Sequence, residues 1–176
     1  LNNYMILAID ASNIITGGGV THLLEICNNY NSKNNYFKKV IIFGNNNVLK
    51  KIENKDYFIK RDIGIFSKNI FLRIFWLIFI LPVLFKKHKC HILFSPGGLI
   101  FASSITSVTM CRNLQPFELN EHTTYGISIK TIRLYILRFL FRFSFNNSNS
   151  VIFLNSYAKN IVMRTYKVCN YTTQII

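Results

Sequence analysis

Residues 5–24 read MILAIDASNIITGGGVTHLL, and the fold turns on how this stretch divides. Met5 to Asp10 is a short apolar run stopped by an acid, as expected of a buried strand. Ala11 to Gly18 is a loop, and Val20, Leu23, Leu24 and Cys27 then recur at helical spacing. Strand, glycine turn and helix form the opening unit of an α/β domain. Outward from it, Val40 to Phe43 is a second buried strand that ends at Gly44 and the Asn45–Asn47 run, and Tyr57 to Lys60 is a weaker third. Ser67 is placed to cap a helix whose stripe is Ile70, Ile74, Leu77, Ile78 and Leu81, with Pro82 ending or kinking it ahead of Lys86, Lys87 and Lys89. His91 to Phe94 and Thr106 to Cys111 are a fourth and a fifth strand, and a helix is expected from about Ile127 to Phe143. Ser150 to Leu154 is a sixth strand, Ser156 caps a helix from Tyr157 to about Tyr166, and Thr172 to Ile176 starts another strand. Unbroken apolar strands alternating with helices predict a Rossmann-like, doubly wound, mainly parallel sheet in a single domain over residues 1–176. Sites in such sheets lie beyond the carboxyl ends of the strands, which directs attention to the loops after Asp10, Gly44, Phe94 and Cys111.

The chain has 176 residues, half of them hydrophobic and 16% charged, so it holds material for one core and is not a disordered segment. Its net charge of +14 attracts phosphates, nucleic acid or an anionic membrane face. Cys27, Cys90, Cys111 and Cys169 are scattered without metal-ligand spacing, which points to free thiols in a reducing compartment rather than a zinc site or a disulfide framework. The start of the chain lacks the pattern of a signal peptide, and the apolar run from Ile70 to Phe85 is interrupted by Arg73 and Pro82, too short for a spanning helix. A cytoplasmic location is expected.

Three glycines, Gly17, Gly18 and Gly19, between a strand and a helix allow backbone amides to approach a phosphate at the positive end of the helix dipole. The turn is neither a P-loop nor a GxGxxG fingerprint, since His22 holds the third glycine position counted from Gly17. The second strand ends without the acid that grips a dinucleotide ribose, which disfavours a dehydrogenase. On the long helix, Lys130, Arg133, Arg138 and Arg142 share an arc with Leu134, Leu137 and Phe141, while Ile132, Ile136, Phe139 and Phe143 form the opposite stripe, expected to face the core. Cations interleaved with apolar groups suit the headgroup boundary of an anionic membrane, with Lys130, Arg133, Arg138, Arg142 and Phe141 as contacts. No nucleic-acid-binding signature accompanies the charge, and nucleic acid is not expected as a partner.

Four segments resemble, in order, the N-terminal half of bacterial family 4 glycosyltransferases: MILAIDASNIITGGGVTHLLEI from Met5, ILFSPGGL from Ile92, MCRNLQPFE from Met110 and SVIFLNSYAKNIV from Ser150. The resemblance implies one half of a GT-B enzyme, in which two Rossmann-like domains face each other and a sugar moves, with retention, from a nucleotide sugar to an acceptor. It implies no cofactor and no obligatory metal, the nucleotide-diphosphate sugar being a substrate. It also implies that the C-terminal nucleotide-sugar-binding domain, with the paired glutamates of the EX7E element, lies outside this sequence, and that these residues alone have little transferase activity. Asn155 and Ser156 depart from the family, which commonly has Ser or Thr followed by Glu at these positions.

Under this resemblance Gly17, Gly18 and Gly19, with Asn13, bring polar groups to the donor diphosphate or the acceptor, and Arg112 and Asn113 orient sugar or phosphate oxygens. Glu121 and His122 are the weak candidates for acid–base work, with Glu118 beside them. The expected partners are a nucleotide sugar, a lipid-linked or glycan acceptor, the separate C-terminal domain and the inner face of the cytoplasmic membrane. The competing expectation is a non-enzymatic basic module that binds phosphate or nucleic acid.

Overall fold

The computed structural model describes residues 4–33, 36–102, 104–118, 128–166 and 172–175. Seven strands form one all-parallel sheet in the order β3-β2-β1-β4-β5-β6-β7, a doubly wound, Rossmann-like α/β domain. They are β1 (Met5–Ala11), β2 (Phe37–Gly44), β3 (Phe58–Asp62), β4 (Ile92–Ser95), β5 (Ser107–Cys111), β6 (Ser150–Phe153) and β7 (Thr172–Ile175). The order reverses between β1 and β4, so the loops leaving these two strands diverge and open a crevice at the sheet's carboxyl edge.

Side chains alternate across the sheet, and the two faces receive different cores. On one face Ile9, Ala11, Val40 and Ile42 meet α1 (Gly18–Asn29) and α2 (Asn46–Leu49) in a largely aliphatic cluster. On the other, Ala8, Ile41, Phe43, Leu93, Val151 and Phe153 meet a π-helical turn (Trp76–Ile80) that continues α3 (Ile70–Phe75), α4 (Leu81–Lys87), α5 (Ile129–Asn147) and α6 (Ser156–Thr165) in an aromatic one. Phe117, Phe141, Phe145 and Tyr166 cluster there with ring centroids 5.5–6.5 Å apart.

Several expectations are corrected. Asn69, not Ser67, caps α3 by accepting from Leu72 N, while Ser67 sits in a 3₁₀ turn and donates to Gly64 O. The buried stripe of this segment is Trp76, Leu77, Leu81 and Phe85; Ile70 and Ile78 are exposed. Pro82 does not end the helix. The π turn ahead of it absorbs the missing hydrogen bond, Pro82 falls in the first turn of α4, where no N–H is required, and the helix runs on to Lys87. Asn155 rather than Ser156 caps α6, through Oδ1 on Ala158 N.

The largest correction concerns α5. Leu134, Phe141 and Phe145 are buried, at 4%, 5% and 0% exposure, whereas Ile132 (55%) and Phe139 (68%) stand in solvent together with Ile136 and Phe143. The helix lies on the sheet by the face opposite to the one its wheel favours. Small hydroxyls decide the matter: buried Ser144 accepts from Ile100 N at 2.7 Å and donates to Gly98 O at 2.8 Å, and Ser148 donates to Ser144 O at 2.8 Å. The two bonds of Ser144 satisfy backbone groups of the loop after β4, which an aliphatic side chain could not do. Phe141 is therefore a core residue and not a membrane contact.

Candidate functional site

At the carboxyl edge of β1, Asp10 is almost completely buried, accepting from Trp76 Nε1 at 3.1 Å and Ser12 Oγ at 3.0 Å. Burial pushes its carboxyl up to about 6, against the lowering effect of those two bonds and of the Arg73 charge. It anchors the first loop from beneath. Above it, Asn13 Nδ2 donates to Gly97 O at 2.7 Å, tying the β1 loop to the β4 loop. A β-carbon at Gly97 would occupy the space of the Asn13 carboxamide, and one at Gly98 would meet the Phe141 ring at 2.6 Å. Gly98 also has φ +90°, so glycine is required on conformation as well as on space.

Beside this junction a groove of about 670 Å³ runs between the start of α3 and the first half of α5. Its polar lining includes Asn13, Lys68, Asn69, Arg73, Asn113 and Arg133 and its apolar lining Ile70, Leu99, Ile132, Ile136 and Leu137, the two kinds interleaved at the start of α3 and along α5. Arg73 Nη2 donates to Ser67 O at 3.2 Å, while Nε is buried without a partner among the described residues. Asn13 Oδ1 is likewise buried and unpartnered. A groove that sets cations and amides among aliphatic side chains suits a ligand with an anionic or hydroxyl-rich head and an apolar remainder.

The glycine turn and Arg112 meet next to this groove rather than within its walls. Arg112 Nη1 donates to Gly19 O at 3.4 Å, and a β-carbon on Gly19 would come within 2.7 Å of Nη2. Gly17 has φ +68° and opens α1, whose N-terminus has no side-chain cap; Gly17 and Gly18 face open space. His22, half-buried one turn into α1, is held below the usual imidazole range by burial and by the Arg112 charge, so it is neutral at physiological pH. Asn113 lines the groove through an exposed side chain, and its Oδ1 also caps the local turn by accepting from Gln115 N at 3.1 Å.

Other sequence-derived candidates fall elsewhere. Glu118 accepts from Tyr157 OH at 3.2 Å, away from the groove walls. Glu121, His122 and Cys169 lie outside the described residues, as does the side chain of Lys130. Arg133 and Arg142 are exposed, whereas Arg138 is half-buried. Cys27, Cys90 and Cys111 are free thiols; burial raises Cys27 and Cys90 to about 11 and Cys111 to about 12, which keeps them protonated and inert. Among the described residues no group of three or more His, Cys, Asp or Glu could hold a metal ion, and no helix is long and apolar enough to cross a membrane. Arg73 and Lys68 were missed as groove residues. Their signal was present, because Arg73 is the one cation inside the apolar run from Ile70 to Phe85. Its placement depended on a helix start that Ser67 obscured.

No protein-family model matches the chain, and no curated protein matches it significantly in sequence.

Proposed function

We propose that this domain is the acceptor-side half of a retaining, nucleotide-sugar-dependent glycosyltransferase of the GT-B type, acting at the cytoplasmic face of a membrane on a lipid-linked acceptor in surface polysaccharide synthesis. The observation that carries the reading is the groove at the β1/β4 switch point, where Asn13, Arg73, Asn113 and Arg133 stand among aliphatic side chains. In this reading Arg73 and Arg133 hold the acceptor's phosphate as planar, permanently charged donors, Asn13 and Asn113 orient its sugar hydroxyls, and the aliphatic lining takes the first units of the lipid. The glycine turn, with its uncapped helix N-terminus next to Arg112, faces the donor diphosphate held by the second domain. The four segments that resemble family 4 glycosyltransferases add the reaction class.

The test is calorimetric titration with a short-chain polyprenyl diphosphate sugar. Binding that weakens at least tenfold in an Arg73→Gln, Arg133→Gln variant of unchanged melting temperature is the expected outcome. Absence of binding, combined with salt-sensitive retention of RNA or DNA, would replace the transferase reading with the basic nucleic-acid-binding module.

A further inference from the structure

Among the described residues, twenty large apolar side chains are exposed, and twelve of them sit on the α3–α4 segment and on α5. Scattered exposure is ordinary, but these form two stripes. Phe71, Phe75, Phe79 and Val83 recur every four residues along α3, the π turn and α4, with Phe71 80% exposed, and the stripe ends at exposed Lys86 and Lys87. Ile132, Ile136, Phe139 and Phe143 run along α5, and at ~100° per residue Arg133 and Arg142 flank them on opposite sides. Both helices lie on the same face of the sheet and form the two walls of the groove; Ile132 and Ile136 of the α5 stripe line it, and the α3–α4 stripe runs along the helix whose Ile70 and Arg73 form the opposite wall.

The charge pattern around the stripes selects the occupant. Residues 67–88 and 128–148 contain no Asp or Glu, whereas Lys68, Arg73, Lys86, Lys87, Arg133 and Arg142 all lie within them. A second copy of the chain would set cation against cation. An aromatic and aliphatic surface whose own helices carry cations and no carboxylate complements a layer that is apolar inside and anionic at its boundary. We propose that the α3–α4 stripe and the outer stripe of α5 together dock this domain onto an anionic phospholipid surface, with the groove opening at headgroup level. The docking face is thus the reverse of the α5 face its sequence suggests, and it recruits a helix the sequence does not single out. The inference deepens the acceptor reading by naming the surface that delivers a lipid-linked substrate, yet it is tested without sugar transfer and can fail or survive alone.

Flotation with vesicles of phosphatidylglycerol and phosphatidylethanolamine, against phosphatidylcholine alone, provides the test. The protein is expected to float with the anionic vesicles, to remain behind with the neutral ones, and to be released by salt. Phe71→Glu combined with Phe139→Glu alters two highly exposed positions, so the melting temperature should hold while vesicle partitioning falls at least tenfold. Lys86→Gln with Lys87→Gln should weaken partitioning roughly fivefold per cation, from about 1 kcal/mol each. No flotation, equal flotation with both vesicle types, or flotation indifferent to the double glutamate variant would overturn the proposal. So would a dimer that the glutamates dissociate, which assigns the stripes to a second copy, or RNA retention that they abolish while vesicles are ignored, which assigns them to base stacking.

Discussion

The two helical layers differ in what they leave outside. α1 buries Val20, Leu23 and Cys27 and turns Thr21, Glu25 and Asn28 to water, so it has one apolar side and a single way to lie on the sheet. α5 is apolar on both sides: it buries Leu134, Phe141 and Phe145 and exposes Ile132, Ile136, Phe139 and Phe143. The layers also differ in polarity within. By strand parity Asp10, Ser95 and Thr109 point with Ala8, Leu93 and Cys111 into the aromatic layer, joined there by Ser144 and Ser148 from α5. A layer that must satisfy buried polar groups selects its helix face by hydrogen bonding, and the apolar residues it rejects remain as a surface.

The comparison breaks most readily at Phe145 and Phe139, two phenylalanines six residues apart on α5. Phe145 is fully buried among the rings of Phe117, Phe141, Phe153 and Tyr166, so Phe145→Ala should cost about 3–5 kcal/mol, lost contacts and cavity together. Phe139→Ala removes an exposed ring and should change stability by no more than about 0.5 kcal/mol. Urea denaturation of both variants measures the difference directly. Equal losses would mean that the outer stripe is covered in the folded molecule, and the contrast between the layers would fall.

The next effect tests the polar content of the aromatic layer through pH. Asp10 stands near 6 in the fold against about 3.9 in an unfolded chain, so the folded state holds its proton more tightly. The stability this contributes is full below about pH 4 and is lost as pH rises through 6, a change of roughly 3 kcal/mol for a shift of about two units. Asp10→Asn retains an acceptor for Trp76 Nε1 without titrating. Its stability relative to the parent protein should therefore rise by about that amount from pH 4 to pH 7, as chemical denaturation at each pH measures. A difference flat with pH would show that Asp10 is not buried as a carboxyl above Trp76, and that the first loop is anchored in another way.

What the sequence made legible follows the same division. The strand, turn and helix from Met5 to Asn29 were readable because each apolar position there has one interpretation, and the seven strands were readable because both faces of a parallel sheet are covered. The strands' limits moved by a few residues at most, whereas the short α2 was read as part of a loop. The meeting of the glycine turn with Arg112 followed from topology, since both leave the carboxyl edge of the sheet. The facing of α5 and the course of α3–α4 were not legible. A helical wheel ranks hydrophobicity, which is nearly equal on the two sides of α5, and carries nothing about which hydroxyl reaches Ile100 N. Pro82 reads as a stop or a kink in isolation, because the π turn that accommodates it depends on Trp76 and Leu77 seating in the core. The groove shared this fate, one wall being the start of α3 and the other the misassigned side of α5.

The smallest predicted effect sharpens the comparison at the edge of the aliphatic layer, where glycine is needed for backbone and not for packing. Gly17 adopts φ +68° with ψ −157°, a region essentially confined to glycine that costs an L-residue roughly 1–3 kcal/mol, whereas Gly18 has an ordinary conformation and nothing within 4 Å of an added β-carbon. Gly17→Ala should thus lower stability by about that cost. Gly18→Ala should be neutral or slightly stabilising, because alanine starts a helix with up to about 1 kcal/mol less entropic loss than glycine. Thermal melts of the two variants give the sign. Were Gly18→Ala as damaging as Gly17→Ala, something would have to stand over the turn in the folded protein, and the opening assigned to a donor phosphate beside Arg112 would already be filled by polypeptide.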